Sequence, residues 1–366
     1  MKKTGVLVVN LGTPNSYAKA DVATYLREFL MDGRVIDIPH WKRWMLVNLI
    51  IVPFRAPKVA HEYEKLWLSN GSPLMVYGKE LVEKLNQKFD DTVVVELAMR
   101  YQNPSIQSGL ERLRQSQVDQ IIVFPLFPQY ASATTGSVAE KVMEIVSKWN
   151  VIPSIQLINS YHDNMLYIGN FADKVRKDIK RHEPDHVLFS YHGIPERHLD
   201  NMNEEGLELC SRCMGNTCEK GSEKRYCYRS ACFETSKLIT EKLKLPQDKY
   251  TTAFQSRLGK DPWIKPYTDA TIKQLAQHGT KKLLVVSPSF VADCLETTLE
   301  IGEQYRDLFF ENGGNDFNFT ESLNADDAWV QTIFNLLQRE IKKNDLTISH
   351  NISASLIDFD PITSPN

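Results

Sequence analysis

The sequence predicts an α/β protein built from two similar halves, each a parallel sheet covered by helices and both facing one cleft. Three observations carry this. Short β-branched runs alternate with amphipathic stretches at the 3–4 residue spacing of a sheet-covering helix. Two strand-and-turn segments occur twice, in the same order. The length of 366 residues suits two domains better than one.

The first strand is expected at Gly5–Asn10, where VLVVN runs without a polar break before a Gly-Thr-Pro turn. Further strands are expected at Thr92–Ala98, Gln120–Phe124, His186–Ser190, Thr251–Phe254 and Lys282–Ser287. Between them the spacing predicts helices at Ala20–Leu30, Gly78–Phe89, Ser105–Gln115, Val138–Lys148, Met165–Lys180, Phe233–Leu243, Asp269–His278 and Asp326–Lys342. The strand-turn GVLVVNLGTP of the first half returns as HVLFSYHGIP from His186, and DQIIVFPLF (Asp119–Phe127) returns as KKLLVVSPSF (Lys281–Phe290). Duplication of one α/β unit explains both, with residues 1–160 and 161–345 as the two domains and 346–366 as a tail without clear periodicity. Ligands of open α/β sheets bind beyond the carboxyl ends of strands, so the turns after these strands are where chemistry is sought.

Composition excludes several classes. With 43 basic and 46 acidic side chains the net charge is −3, without the basic excess of a nucleic-acid binder. At 42% hydrophobic and 24% charged residues, the chain is neither disordered nor fibrous. The opening MKKTGVLVVNLGTP carries too short an apolar run for a secretory signal, and no stretch reaches the ~20 apolar residues of a membrane span. A cytoplasmic location is expected. Pro39–Pro57, PHWKRWMLVNLIIVPFRAP, is either a buried core helix or an amphipathic lip for a membrane interface or a large apolar ligand.

Three constellations carry chemistry. Tyr191-His192-Gly193-Ile194-Pro195 places a histidine at a strand end, where an imidazole suits proton transfer; a histidine bound to its own loop is the plainer alternative. In SPSFVADCLETTLEIGEQY (Ser287–Tyr305), Asp293, Glu296, Glu300 and Glu303 fall at spacings of one helical face. No Lys or Arg occurs from Leu283 to Tyr305, which favours a path for a divalent cation or protons over a solvated surface face. Gly302 offers a place for a helix bulge. Cys210, Cys213, Cys218, Cys227 and Cys232 form a C-x2-C-x4-C-x8-C-x4-C run suited to zinc or an iron–sulfur cluster, with one of Cys227 and Cys232 left over. Cys294 reads as a packing residue. Trp263, in FQSRLGKDPWIKPYTD (Phe254–Asp269), can stack on a flat ligand. Neither GxGxxG nor GxxxxGK[ST] occurs, which disfavours a nucleotide or flavin enzyme.

Taken together, VNLGTP (Val9–Pro14), GSPL (Gly71–Leu74), MRYQNPS (Met99–Ser105), PLFPQYASATTGS (Pro125–Ser137), FSYHGIPERH (Phe189–His198), the Trp263 segment and SPSFVADCLETTLEI (Ser287–Ile301) resemble the ferrochelatases. The resemblance implies two Rossmann-like domains around a porphyrin cleft and insertion of ferrous iron into the porphyrin, protoporphyrin IX being favoured. It assigns His192 and Glu296 to the catalytic centre and the iron substrate, and Asp293, Glu300 and Glu303 to the acidic path. Arg100, Tyr101 and Trp263 fall to the porphyrin pocket, and Trp41–Phe54 to an apolar lip that contacts the inner membrane. It also implies a [2Fe-2S] cluster on Cys210, Cys213, Cys218 and Cys227, Cys232 being the alternative fourth ligand and zinc the alternative metal. A cobalt or nickel chelatase, a coproporphyrin ferrochelatase and a non-enzymatic porphyrin carrier are the competing readings. No nucleic acid is implied, and oligomeric state is left open.

Overall fold

The computed structural model describes residues 2–201, 227–257 and 261–354, and the side chains of these except 200–201 and 344–354. Among these residues eight strands form two four-stranded sheets: β1 (Thr4–Gly12), β2 (Val93–Tyr101), β3 (Gln120–Pro125) and β4 (Ser154–Leu157), then β5 (His186–His192), β6 (Tyr250–Gln255), β7 (Lys282–Val286) and β8 (Asp316–Phe319). The orders are β2-β1-β3-β4 and β6-β5-β7-β8, and every pairing is parallel. The two halves therefore share one topology. The segments that repeat in sequence are topological equivalents, β1 with β5 and β3 with β7.

Among the described residues twelve α-helices accompany them: α1 (Lys19–Leu30), α2 (His40–Met45), α3 (Val52–Leu66), α4 (Pro73–Lys88), α5 (Ile106–Gln115), α6 (Ser137–Val146), α7 (Met165–His182) and α8 (Glu196–Asn201), then α9 (Tyr228–Leu243), α10 (Thr268–Gln277), α11 (Arg306–Glu311) and α12 (Asp327–Ala354). Strand alternation divides the cores. Leu7 and Val9 of β1 pack with α5 and α6 on the outer face of the first sheet. Leu188, Leu283 and Val285 do the same with α10 in the second. The remaining faces, through Val6, Val8, Val187, Phe189 and Val286, join α4, α7, α9 and α12 in one continuous core. Burial of this shared core fixes the two sheets against each other.

Two edge strands, β4 and β8, escape sequence reading because SIQL and DFNF are short, polar-interrupted and only half buried. The last helix runs past Lys342 to Ala354, since neither Gly nor Pro interrupts that segment. A larger departure is the segment from His40 to Leu66, which is one continuous helical run with a π-helical turn at Leu46–Ile51. Pro53 and Pro57 each remove a helix donor, and the widened turn just before them is where such a ladder yields.

Both orders place a switch point beside the central strand, between β1 and β3 and between β5 and β7. At the end of β1, Gly12 has φ +124°, and a Cβ there would stand 2.1 Å from the Tyr101 carbonyl oxygen. Only glycine lets the chain leave β1 so close to β2.

Candidate active site

One large cleft opens beyond the carboxyl ends of the four switch-point strands. Its walls come from Asn10–Thr13 at the end of β1, parts of Leu126–Thr134 after β3, His192–Pro195 and His198 at and after the end of β5, and Ser289–Ala292 and Cys294–Glu296 after β7, with Tyr25, Phe29, Tyr63 and Trp263 added from the sides. The space free of protein atoms, counted to the open mouth, is about 1330 Å³. Its lining is mainly apolar, as an extended flat ligand requires.

His192 ends β5 and is half buried in this wall. Its Nδ1 lies 2.6 Å from the Gly193 carbonyl oxygen. A carbonyl only accepts, so Nδ1 carries the hydrogen and the neutral ring keeps its lone pair on Nε2. The Tyr228 hydroxyl donates to the His192 carbonyl at 2.8 Å, and the rings of Trp263 and Phe290 stand 6.4 and 6.3 Å from the imidazole. Backbone and aromatic neighbours thus fix both the tautomer and the position of one base.

Glu296 reaches the same cleft from the start of a π-helix, Glu296–Tyr305, which contains Gly302. Tyr63 is buried beside it; burial first, and then the Glu296 charge, pushes the Tyr63 hydroxyl far above the usual phenol range. Tyr25 is raised by burial and by Tyr63, with Glu296 adding to it. Both phenols therefore face the carboxylate as neutral groups.

The other three carboxylates do not line the cleft. Each residue of a π-helix advances about 80°, so Glu300, four on, stays near the line of Glu296, whereas Glu303, seven on, falls on the far side. Glu300 lies behind the wall, accepting from Gln255 at 3.1 Å, Tyr305 at 2.9 Å and Ser256. Glu303 points outward to Lys65 of α3 at 3.7 Å. Asp293 precedes the helix and ties down its own loop, accepting from Asn324 at 2.7 Å, Thr297 at 3.1 Å and the Ser322 amide at 3.2 Å. Lys65 is the cation that chain proximity could not reveal.

Of the three residues expected in a ligand pocket, only Trp263 lines the cleft. Arg100 and Tyr101 stand one layer behind. Arg100 donates to Asp32 at 2.7 Å and to Ser137 at 2.6 Å, and the fully buried Tyr101 donates to Asp32 at 2.8 Å. Burial disfavours the Asp32 charge, but Ser137, the Arg34 amide, Arg100 and Tyr101 outweigh it and hold the carboxyl below its usual range. A buried carboxylate needs a counterion, and β2 supplies it.

Tyr25, Tyr63 and His198 line the cleft without having been singled out in the sequence. Tyr25 sits on the buried stripe of α1 and reads as core; Tyr63 lies in α3, which the prolines conceal. His198 is 6% exposed and lies 3.5 Å from Asp37.

The segment from Trp41 to Phe54 turns Val47 and Val52 inward and leaves a row of apolar side chains outside. Trp41 is 62%, Leu49 and Ile50 are 56%, and Phe54 is 79% exposed. The buried-helix reading therefore fits only its inner face. Among the described residues no helix is long and apolar enough to cross a membrane.

Cys210, Cys213 and Cys218 lie outside the described residues. Cys227 is half buried at the N-cap of α9, directly after them, whereas Cys232 is fully buried in the core beside Tyr228. Four thiolates of which the last is Cys227 suit a cluster or zinc; Cys232 would have to leave the core to take part. Among the described residues no group of three metal-ligating side chains occurs.

The sequence profile of the ferrochelatase family matches residues 3–341. A ferrochelatase of Coxiella burnetii is 42% identical over 341 residues, covering 93% of this chain and 94% of that one. A ferrochelatase of Legionella pneumophila is 42% identical over 340 residues, covering 93% and 100%. Among solved structures, SirB from Bacillus subtilis with Fe3+ superposes with a TM-score of 0.53 at 14% identity, covering 98% of this chain and 100% of that one. The sirohydrochlorin chelatase SirB from Bacillus subtilis subspecies spizizenii in complex with cobalt gives 0.52 at 13% identity over the same shares. These two likenesses concern the fold.

Proposed function

The chain belongs to the ferrochelatase family, inserting ferrous iron into a porphyrin to give haem, and we propose that His192 and Glu296 carry that reaction on protoporphyrin IX. The observation that carries this reading is a fixed-tautomer imidazole and a carboxylate on one apolar cleft.

Insertion replaces two pyrrole N–H protons with one Fe²⁺, so a base must face the ring and a negative group must receive the cation. His192 Nε2 accepts the pyrrole proton. Glu296 meets the iron and offsets its charge, while Tyr25 and Tyr63, remaining neutral, donate to that carboxylate or to the ligand without competing for the metal. Trp263 lies against the flat face of the macrocycle. Asp293, Glu300 and Glu303 act from behind: Glu300 braces Gln255, whose amide oxygen in turn accepts from Ser190 of β5 at 2.7 Å, and Asp293 holds the loop that presents Glu296.

Cys210, Cys213, Cys218 and Cys227 would hold a [2Fe-2S] cluster, which supplies a one-electron redox centre when bound. Insertion changes no oxidation state and passes no step through it. The exposed row Trp41, Trp44, Leu49, Ile50 and Phe54, flanked by the exposed Lys42, Arg55 and Lys58, rests on the inner membrane at the headgroup level. Replacing Trp41 and Phe54 by serine should release the protein from anionic vesicles; undiminished binding refutes that contact.

Anaerobic ferrous insertion assayed in parallel with protoporphyrin IX and coproporphyrin tests the substrate assignment. A higher kcat/KM for protoporphyrin is expected, and the reverse ranking overturns it.

A further inference from the structure

The reaction leaves two protons in an apolar cleft, and His192 holds one. Among the described residues, the only other histidine lining that cleft is His198, on α8 just after β5. It is 6% exposed, its Nε2 has no hydrogen-bond partner of normal geometry, and it stands 3.5 Å from Asp37 Oδ1. An imidazole nitrogen left unsatisfied at the wall of a ligand cleft calls for an explanation.

The surroundings supply one. Arg197, the neighbour of His198, grips Asp37 through Nε at 2.8 Å and Nη2 at 2.6 Å, and reaches the exposed Asp261 with Nη1. Asp37 comes from the connection between α1 and α2, so the contact ties the two halves together at the cleft. The charged groups that face His198 are Asp37 and Arg197, with Asp261 beyond the guanidinium. Two carboxylates and one guanidinium leave a fixed charge of one negative, which a single proton on His198 completes.

We propose that His198, with Asp37 beside it, is the proton outlet of the cleft. The proposal rests on the reading that His192 takes the pyrrole protons. The N–H bond of the pyrrole breaks as the N–Fe bond forms, and the proton goes to His192 Nε2. That proton then passes through cleft solvent to His198 Nε2 and on to bulk buffer, returning His192 neutral for the second pyrrole. Iron stays ferrous throughout. Burial lowers the affinity of His198 for protons and Asp37 partly restores it, so the ring is neutral at rest and able to accept.

The experiment compares the parent, His198→Ala and His198→Gln for porphyrin affinity by tryptophan fluorescence and for ferrous insertion across buffer concentrations at pH 7. Both variants should bind porphyrin within about twofold of the parent and lose about tenfold or more in kcat in dilute buffer. Imidazole buffer should restore His198→Ala while leaving the parent unchanged, a response that a packing role would not give. His198→Gln keeps the side-chain bulk and answers the case in which alanine unfolds. Unchanged kcat, or a loss confined to KM and indifferent to buffer, overturns the proposal. His192→Ala is run alongside: retained insertion there strikes the reading of the site itself, and only the buffer response of the His198 variants strikes the outlet.

Discussion

Replacing Gly193 by alanine should cripple the enzyme while leaving it folded. A Cβ at this position would stand 2.8 Å from the Gln255 carbonyl oxygen and 3.1 Å from Cε3 of Trp263. The first contact is to backbone, which cannot swing aside, and the same Gly193 amide donates to that carbonyl at 2.8 Å. Relieving the clash must lengthen this bond and shift the Gly193 carbonyl, the acceptor that fixes the His192 tautomer. Overpacking costs about 1–3 kcal/mol and a weakened hydrogen bond about 1 kcal/mol, so stability should fall by about 2–4 kcal/mol. A displacement of about 1 Å at a base costs roughly 100-fold in rate. Thermal unfolding should show a drop of several degrees, and anaerobic insertion a kcat about two orders of magnitude lower. A variant with parental kcat and Tm refutes the claim that this turn positions the base.

Glu300→Gln turns an acceptor of three hydrogen bonds into a group whose NH2 faces donors, so it should cost about 1–3 kcal/mol in urea unfolding, with porphyrin binding intact; parental stability contradicts the bracing role. Asp32 titrates below its usual range when folded, so its contribution is present above about pH 4 and is lost as pH falls through its folded value. Asp32→Asn should therefore be less stable than the parent at pH 7 and show a flatter acid limb. His186, lowered by burial and then Lys249, takes up its proton more readily when unfolded, so stability should fall below about pH 6.5 and His186→Gln should lessen that slope. Cys227→Ser should abolish any visible iron–sulfur absorption, whereas Cys232→Ser should keep the colour and lower Tm; the opposite pattern exchanges the two ligands.

Much of this architecture is legible in the chain because buried parallel strands write themselves as unbroken Val, Ile and Leu runs. VLVV (residues 6–9) and LLVV (residues 283–286) carry no polar residue that could confuse them, and the repetition of their segments exposes the shared topology. His192 is equally visible, since a strand-end histidine bounded by Gly and Pro has few other places to be. What stays hidden depends on long-range pairing or irregular helix. Lys65 reaches Glu303 from α3, Asp32 claims Arg100 from α1's far end, and the π-helix carries Glu303 off the line of Glu296. Spacing rules presume an α-helix, and here the helix is not one. Tyr63 stays hidden because it lies beyond Pro57, where the segment singled out in the sequence ends, although α3 runs on to Leu66.

The central claim is that His192 removes the pyrrole protons while the rest of the cleft holds the porphyrin. The most direct measurement is His192→Ala, assayed anaerobically for ferrous insertion and, on the same preparation, for porphyrin binding. The account predicts porphyrin affinity close to that of the parent and no detectable insertion. Turnover retained at a rate near the parent's would contradict it.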